Sequence, residues 1–267
     1  MPFVESNSGK IFYTIRGSGQ PIIIIKGMLF SSKHWLGFEK TLSQYFSVIT
    51  MDNRGIGRSQ TKASWNLTPF HMSDDVADLI HHLQLQRAHI MGVSLGGMAT
   101  LATGIKYPDL CHSITLINSS IGGGRWPRLS PNAALKLMLA GGFNQRTHAA
   151  LRDLLLHRDT PFHRKTSVMD SWVRIQQEDG WPRLTIAKQA IAALRFRPTT
   201  QQLASLTTPT HIIYGDGDRF VPNYNSFHLY NQIPHATITK MEGVGHEIEL
   251  DNPKLLAHTL QSLLLKP

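Results

Sequence analysis

Apolar runs and amphipathic stretches alternate along the first 120 residues. Pro21-Ile22-Ile23-Ile24-Ile25 is apolar throughout, which predicts a strand buried on both faces. Phe46-Ser47-Val48-Ile49-Thr50-Met51 and Ser113-Ile114-Thr115-Leu116-Ile117-Asn118 have the same character, and another apolar run, opening at Ala88, ends at Ser94. Helical patterns fall between them, at about 35–45, at 69–85 through Met72, Val76, Leu79, Ile80 and Leu83, and after Ser94 up to Pro108. Strand and helix therefore alternate from 22 to 118, which predicts an α/β fold with a parallel sheet and helices on both faces. Upstream, residues 3–16 and 21–26 read as a strand pair around the turn Gly17-Ser18-Gly19-Gln20.

The rhythm stops at Ser119. Residues 122–204 hold no convincing strand but several helical stretches, near 133–140, 147–157, 165–177 and 184–196, punctuated by Pro127, Pro131, Pro161 and Pro182. Strand patterns resume at 210–214 and 236–240, and a helix over 253–264 closes the chain. An all-helical insertion in an α/β chain predicts a cap over the strand ends, so the expected organisation is a core of 1–121 and 205–267 with a cap of 122–204.

Composition adds bounds. The 267 residues are 41% hydrophobic and 17% charged, ordinary for a globular protein with a sizeable core. No apolar run approaches the roughly 18 residues of a membrane span, and Glu5, Ser6 and Asn7 stand where an export signal would need an apolar stretch. The single cysteine, Cys111, excludes an intramolecular disulfide, and a cytoplasmic location is the expectation. The net charge of +9 is concentrated: residues 122–204 carry 13 Lys/Arg against 5 Asp/Glu. That segment lacks a nucleic-acid-binding motif, so its basicity does not by itself predict DNA or RNA as a partner. Its bland reading is a solvated, Arg-rich helical surface.

The candidate chemistry centres on Gly92-Val93-Ser94-Leu95-Gly96-Gly97, a G-x-S-x-G pattern at the junction of an apolar run and a helix. In such a turn the serine has positive φ, and side chains at the two glycines would collide. A serine hydroxyl needs a neighbouring base oriented by a carboxylate. Two late loops offer them: Gly215-Asp216-Gly217-Asp218, running on to Pro222, and Gly243-Val244-Gly245-His246-Glu247. Both Asp216 and Asp218 are candidate acids on this reading. His81, His82, His148, His157 and His163 lack such a setting, and no cluster combines ligands as a metal site would.

Four motifs together, Asp52-x-Arg54-Gly55-x-Gly57-x-Ser59, Gly92-x-Ser94-x-Gly96-Gly97, Gly215-x-x-Asp218-x-x-x-Pro222 and Gly243-x-Gly245-His246, make the chain resemble the α/β-hydrolase fold family, from residue 10 to the C-terminus and including the cap. The resemblance implies Ser94 as nucleophile, Asp218 as acid and His246 as base, because the family pattern sets the acid four residues before the proline. Some members carry the acid after the strand preceding the cap; here that strand ends in Asn118-Ser119-Ser120, without a carboxylate. Asp52 and Arg54 are expected to form a structural loop network. The oxyanion donors implied are the backbone N–H groups of Leu95 and Met28. The loop holding Met28 commonly begins His-Gly in the family, whereas this chain has Lys26-Gly27-Met28. Met28, Phe30 and Leu95 would make the pocket apolar, and Phe30 and Val221 are its candidate lining residues.

The implied activity is two-step hydrolysis of small or medium carboxylic esters, without cofactor or metal. Thioester, lactone and carbon–carbon bond hydrolysis use similar residues. A second expectation is an acyl substrate delivered by an acidic acyl carrier protein, docked on Arg125, Arg128, Arg146, Arg152, Arg158, Arg164 and Lys165. A third, of another class, is a small-molecule receptor on the same fold with little turnover.

Overall fold

A computed structural model describes residues 2–7, 9–61, 63–122, 145–180 and 182–265, apart from the side chains of 145–148 and 150. Its strands are β1 (Phe3–Ser6), β2 (Gly9–Arg16), β3 (Pro21–Ile25), β4 (Ser47–Met51), β5 (Gln60–Thr61), β6 (Ala88–Val93), β7 (Cys111–Ile117), β8 (Thr210–Gly215) and β9 (Thr237–Met241). They form one sheet in the order β1-β2-β4-β3-β6-β7-β8-β9, with β5 beside β2. From β4 to β9 all neighbours are parallel, and β2 runs antiparallel to β4.

The isoleucine run shows why the sheet is central. Ile23 and Ile25 belong to one apolar cluster and Ile22 and Ile24 to the other, because successive side chains leave a strand on opposite faces. The first cluster joins the sheet to α2 (Pro69–His82) and α3 (Leu95–Lys106) through Val76, Leu79, Ile80, Leu101 and Ala102. The second joins it to α1 (Phe38–Leu42) and the final helix, α10 (Pro253–Leu264), through Phe38, Leu42, Leu256 and Leu260.

Two expectations change. Residues 3–16 and 21–26 are not a strand pair: β2 pairs with β4, in the register Tyr13↔Met51 and Arg16↔Val48, and β3 lies between β4 and β6. A strand buried on both faces takes a partner on each edge, and the half-exposed β2 suits the outer position. The helix expected over 35–45 is a 3-10 turn, Ser32–Trp35, followed by the shorter α1, with Leu36 and Gly37 at positive φ between them.

Between β7 and β8 the described residues form α4 (Gln145–Leu155), α5 (Phe162–Asp179), α6 (Arg183–Arg195) and α7 (Thr200–Ala204). The helix expected over 133–140 lies outside the described residues. Leu151, Leu155, Leu156, Val168 and Trp172 of this segment pack with Leu29, Phe30, Phe220, Val221 and Leu250, which follow strands of the sheet. Beyond β8 come α8 (Tyr224–Gln232) and α9 (Ile248–Asp251), neither of which the apolar pattern announced. No helix among the described residues is long and apolar enough to cross a membrane.

Candidate active site

Ser94 stands between β6 and α3 with φ 56° and ψ −118°. Its N–H donates to Ile117 O at 2.9 Å, and its carbonyl accepts from Ser119 Oγ at 2.8 Å. The flanking glycines are steric necessities. A Cβ on Gly92 would lie 2.1 Å from Gly96 O, and one on Gly96 would lie 2.2 Å from Ile25 O. Leu95 opens α3, so its N–H has no partner within the helix.

The late loops meet beside it. His246 Nδ1 contacts Asp218 Oδ2 at 2.8 Å, while Asp218 Oδ1 accepts the N–H groups of Phe220 and Val221 at 2.7 and 2.8 Å. The carboxylate is thus fixed from behind by two amides, and its free oxygen sets the ring: Nδ1 carries the proton and Nε2 is left as a base. Burial alone would make the ring less basic, but the Asp218 carboxylate outweighs it, so His246 titrates above the ordinary histidine value. Asp216 does not reach the ring; its Oδ1 accepts Gly243 N–H at 2.8 Å.

Ser94 and His246 line one cavity of about 20 Å³ with Gly27, Met28, Leu29, Phe30, Leu151, Leu155, Phe220 and Glu247. That is room for about one water. The two side chains make no hydrogen bond to one another here, a contact that often closes only when substrate is bound. Two residues expected at the pocket are not among those lining this cavity. The Leu95 side chain belongs to the core cluster shared by α3 and the sheet, and Val221, whose N–H donates to Asp218, belongs to the cluster that also holds Phe30, Leu151 and Phe220. Phe220, edge-on to His246 at 4.8 Å, lines the cavity instead.

Residues the sequence did not single out hold this arrangement together. Asn118, at φ 44°, donates through Nδ2 to Gly245 O (3.0 Å) and His246 O (2.8 Å) and accepts Gly215 N–H at 3.0 Å. Asp251 accepts N–H groups from Gly245 and His157, and Glu247 N–H donates to Leu155 O, tying the histidine loop to the helical insertion. Lys26 is fully buried and ion-pairs with Glu247 and Glu249. The signal for it was present as a lone cation ending an isoleucine run and two acids spaced by one residue after His246. Asp52 does organise its loop, accepting from Ser32 and Arg58, while Arg54 pairs with Asp75 rather than Asp52. Of the basic residues of the insertion, Arg125, Arg128 and the Arg146 side chain lie outside the described residues. Arg152 and Arg158 pair with Asp153 and Asp159.

A serine on a strained turn, a buried imidazole–carboxylate pair and backbone donors at a helix start, all at the carboxyl ends of parallel strands, define a hydrolase architecture. The profile of the alpha/beta hydrolase fold family matches residues 20–253, and the chain belongs to that family. Among its relatives is a protein of Pseudomonas syringae pv. syringae named "Putative carbamate hydrolase RutD", 25% identical, with 95% of this chain and 97% of that protein covered. Solved structures of the same fold include a thermophilic esterase from Thermogutta terrifontis (TM-score 0.83, 21% identity, 99% and 97% covered). Another is the enol-lactonase of Burkholderia xenovorans LB400 (TM-score 0.81, 20% identity, 99% and 100% covered).

Proposed function

We propose that this hydrolase cleaves small carboxylic esters by acyl transfer through Ser94, His246 and Asp218. One observation carries the reading: an imidazole locked on a carboxylate through Nδ1 lines the same small cavity as a serine on a φ 56° turn. His246 Nε2 takes the Ser94 proton as Oγ attacks the carbonyl carbon. The N–H groups of Leu95 and Met28 receive the oxyanion, and His246 returns the proton to the departing alcohol. Water, deprotonated by the same ring, then releases the acid from the acyl-enzyme. Residues 122–204 act as the cap over a core of 1–121 and 205–267, and its leucines limit the acyl chain.

The names of the relatives support a carbonyl substrate: an esterase, an enol-lactonase and a protein named for carbamate hydrolysis. Small esters are preferred here because the cavity is apolar and small. A fluorophosphonate probe should label the wild type stoichiometrically and Ser94→Ala not at all. Wild type that stays unlabelled and leaves a panel of esters intact would point to a receptor without turnover.

A further inference from the structure

Lys26 stands where related loops commonly carry histidine. Its ammonium contacts the carboxylates of Glu247 and Glu249, with the Trp35 ring centroid 4.5 Å away and that of Phe30 5.6 Å away. A buried ammonium demands a counter-ion, but two carboxylates exceed that need by one charge. The location is specific. Lys26 immediately precedes Gly27 and Met28, Glu247 immediately follows His246, and Gly27, Met28, His246 and Glu247 all line the Ser94 cavity. Glu249 is buried against the same ammonium, and its Oε2 has no hydrogen-bond partner among the described residues.

We propose that Lys26 is a positioning residue for the acyl transfer set out above, clamping the histidine loop to the oxyanion loop through Glu247 and Glu249 and fixing the charge around His246. The inference rests on that reading of Ser94, His246 and Asp218.

The neighbouring groups fit a single titrating member. Burial lifts Glu249 to about 8; the ammonium pulls the other way, and the Glu247 charge adds to the rise. Glu247 stays ionised: burial opposes that, but the Lys26 ammonium overrides it. His34, stacked on Phe30 at 4.5 Å, is neutral because burial, then Lys26, bring it to about 3 although Asp179 pulls upward. Asp218 and Glu247 both favour the protonated His246 ring, and Lys26 opposes them. At neutral pH Lys26, Glu247 and Glu249 therefore sum to zero, with the proton on Glu249. As that proton leaves, a net negative charge appears beside the loop that receives the oxyanion, and the rate falls.

The test uses purified full-length protein and p-nitrophenyl esters of short acids. Wild type should lose kcat above about pH 8, whereas Glu249→Gln should hold its rate there. Lys26→Met should lower kcat about tenfold or more with KM changed less than about threefold, since Lys26 does not touch substrate. A normal kcat in folded Lys26→Met, or the same alkaline fall in Glu249→Gln, overturns the inference. If Lys26→Met does not fold, the Glu249→Gln profile decides. NMR titration of the His246 ring separates this idea from the hydrolase reading, because it needs no turnover. The double variant Glu247→Gln/Glu249→Gln, in which Glu249 cannot take over the lost charge, should lower the His246 pKa by about one unit, and an unchanged titration overturns the electrostatic role even if every ester is inert.

Discussion

At the scale of single residues, the site depends on contacts that tolerate almost no change of shape. Gly92→Ala would drive a methyl group to 2.1 Å from a backbone oxygen in the core. It should therefore cost about 3 kcal/mol or more of stability in denaturant unfolding. Asp218→Asn keeps the volume but turns a charge that accepts from Nδ1 into an amide that competes with it. The expected loss in kcat is on the order of 10³–10⁴-fold, with the fold intact by circular dichroism. Because the Asp218 charge raises the pKa of His246 and only the neutral ring is a base, the acid limb of kcat/KM should lie above the ordinary histidine value near 6.5. An acid limb near pH 5 would contradict the ring–carboxylate geometry.

At the scale of elements, α4 builds one wall of the cavity. Leu151 and Leu155 line the space in front of Ser94. Replacing both by alanine should raise the kcat/KM ratio of a hexanoate to an acetate ester about tenfold, since a methylene in a hydrophobic pocket is worth roughly 1–3 kcal/mol. The elements themselves were largely legible in the sequence. Strands buried on both faces write themselves as apolar runs, and the Ser94 loop was visible because it follows such a run. The Asp218 and His246 loops were visible through their glycine motifs instead, β9 before His246 being half-exposed. Partnership between strands was not, because periodicity says which faces are buried but not which neighbour lies alongside; hence the misreading of β2 and β3. The short α9 was hidden too, its four residues too few for a period. Lys26 escaped for a different reason. Its counter-ions lie 221 and 223 residues away, and a charge at the end of a strand looks solvated until the opposite loop is in place.

For the whole molecule, the His246–Asp218 pair links stability to pH. A group whose pKa is raised by folding stabilises the native state fully below its unfolded value and loses that contribution as pH rises through its folded value. His246 is such a group, so its share of the stability is present below about pH 6.5 and disappears above the folded pKa. Comparing wild type with His246→Gln by urea unfolding at pH 6 and pH 9 should give a larger difference at pH 6. Asn118 carries a further consequence, for the order in which the chain folds. Its side chain joins the end of β7 to Gly215, 97 residues on, and to His246, 128 residues on. Contacts so distant in sequence form late, after local helices and the first strand pairs. On dilution from urea, helical ellipticity should return before reactivity toward the fluorophosphonate, so the competent serine is the last thing the polypeptide makes and serves as a clock for completion of the sheet.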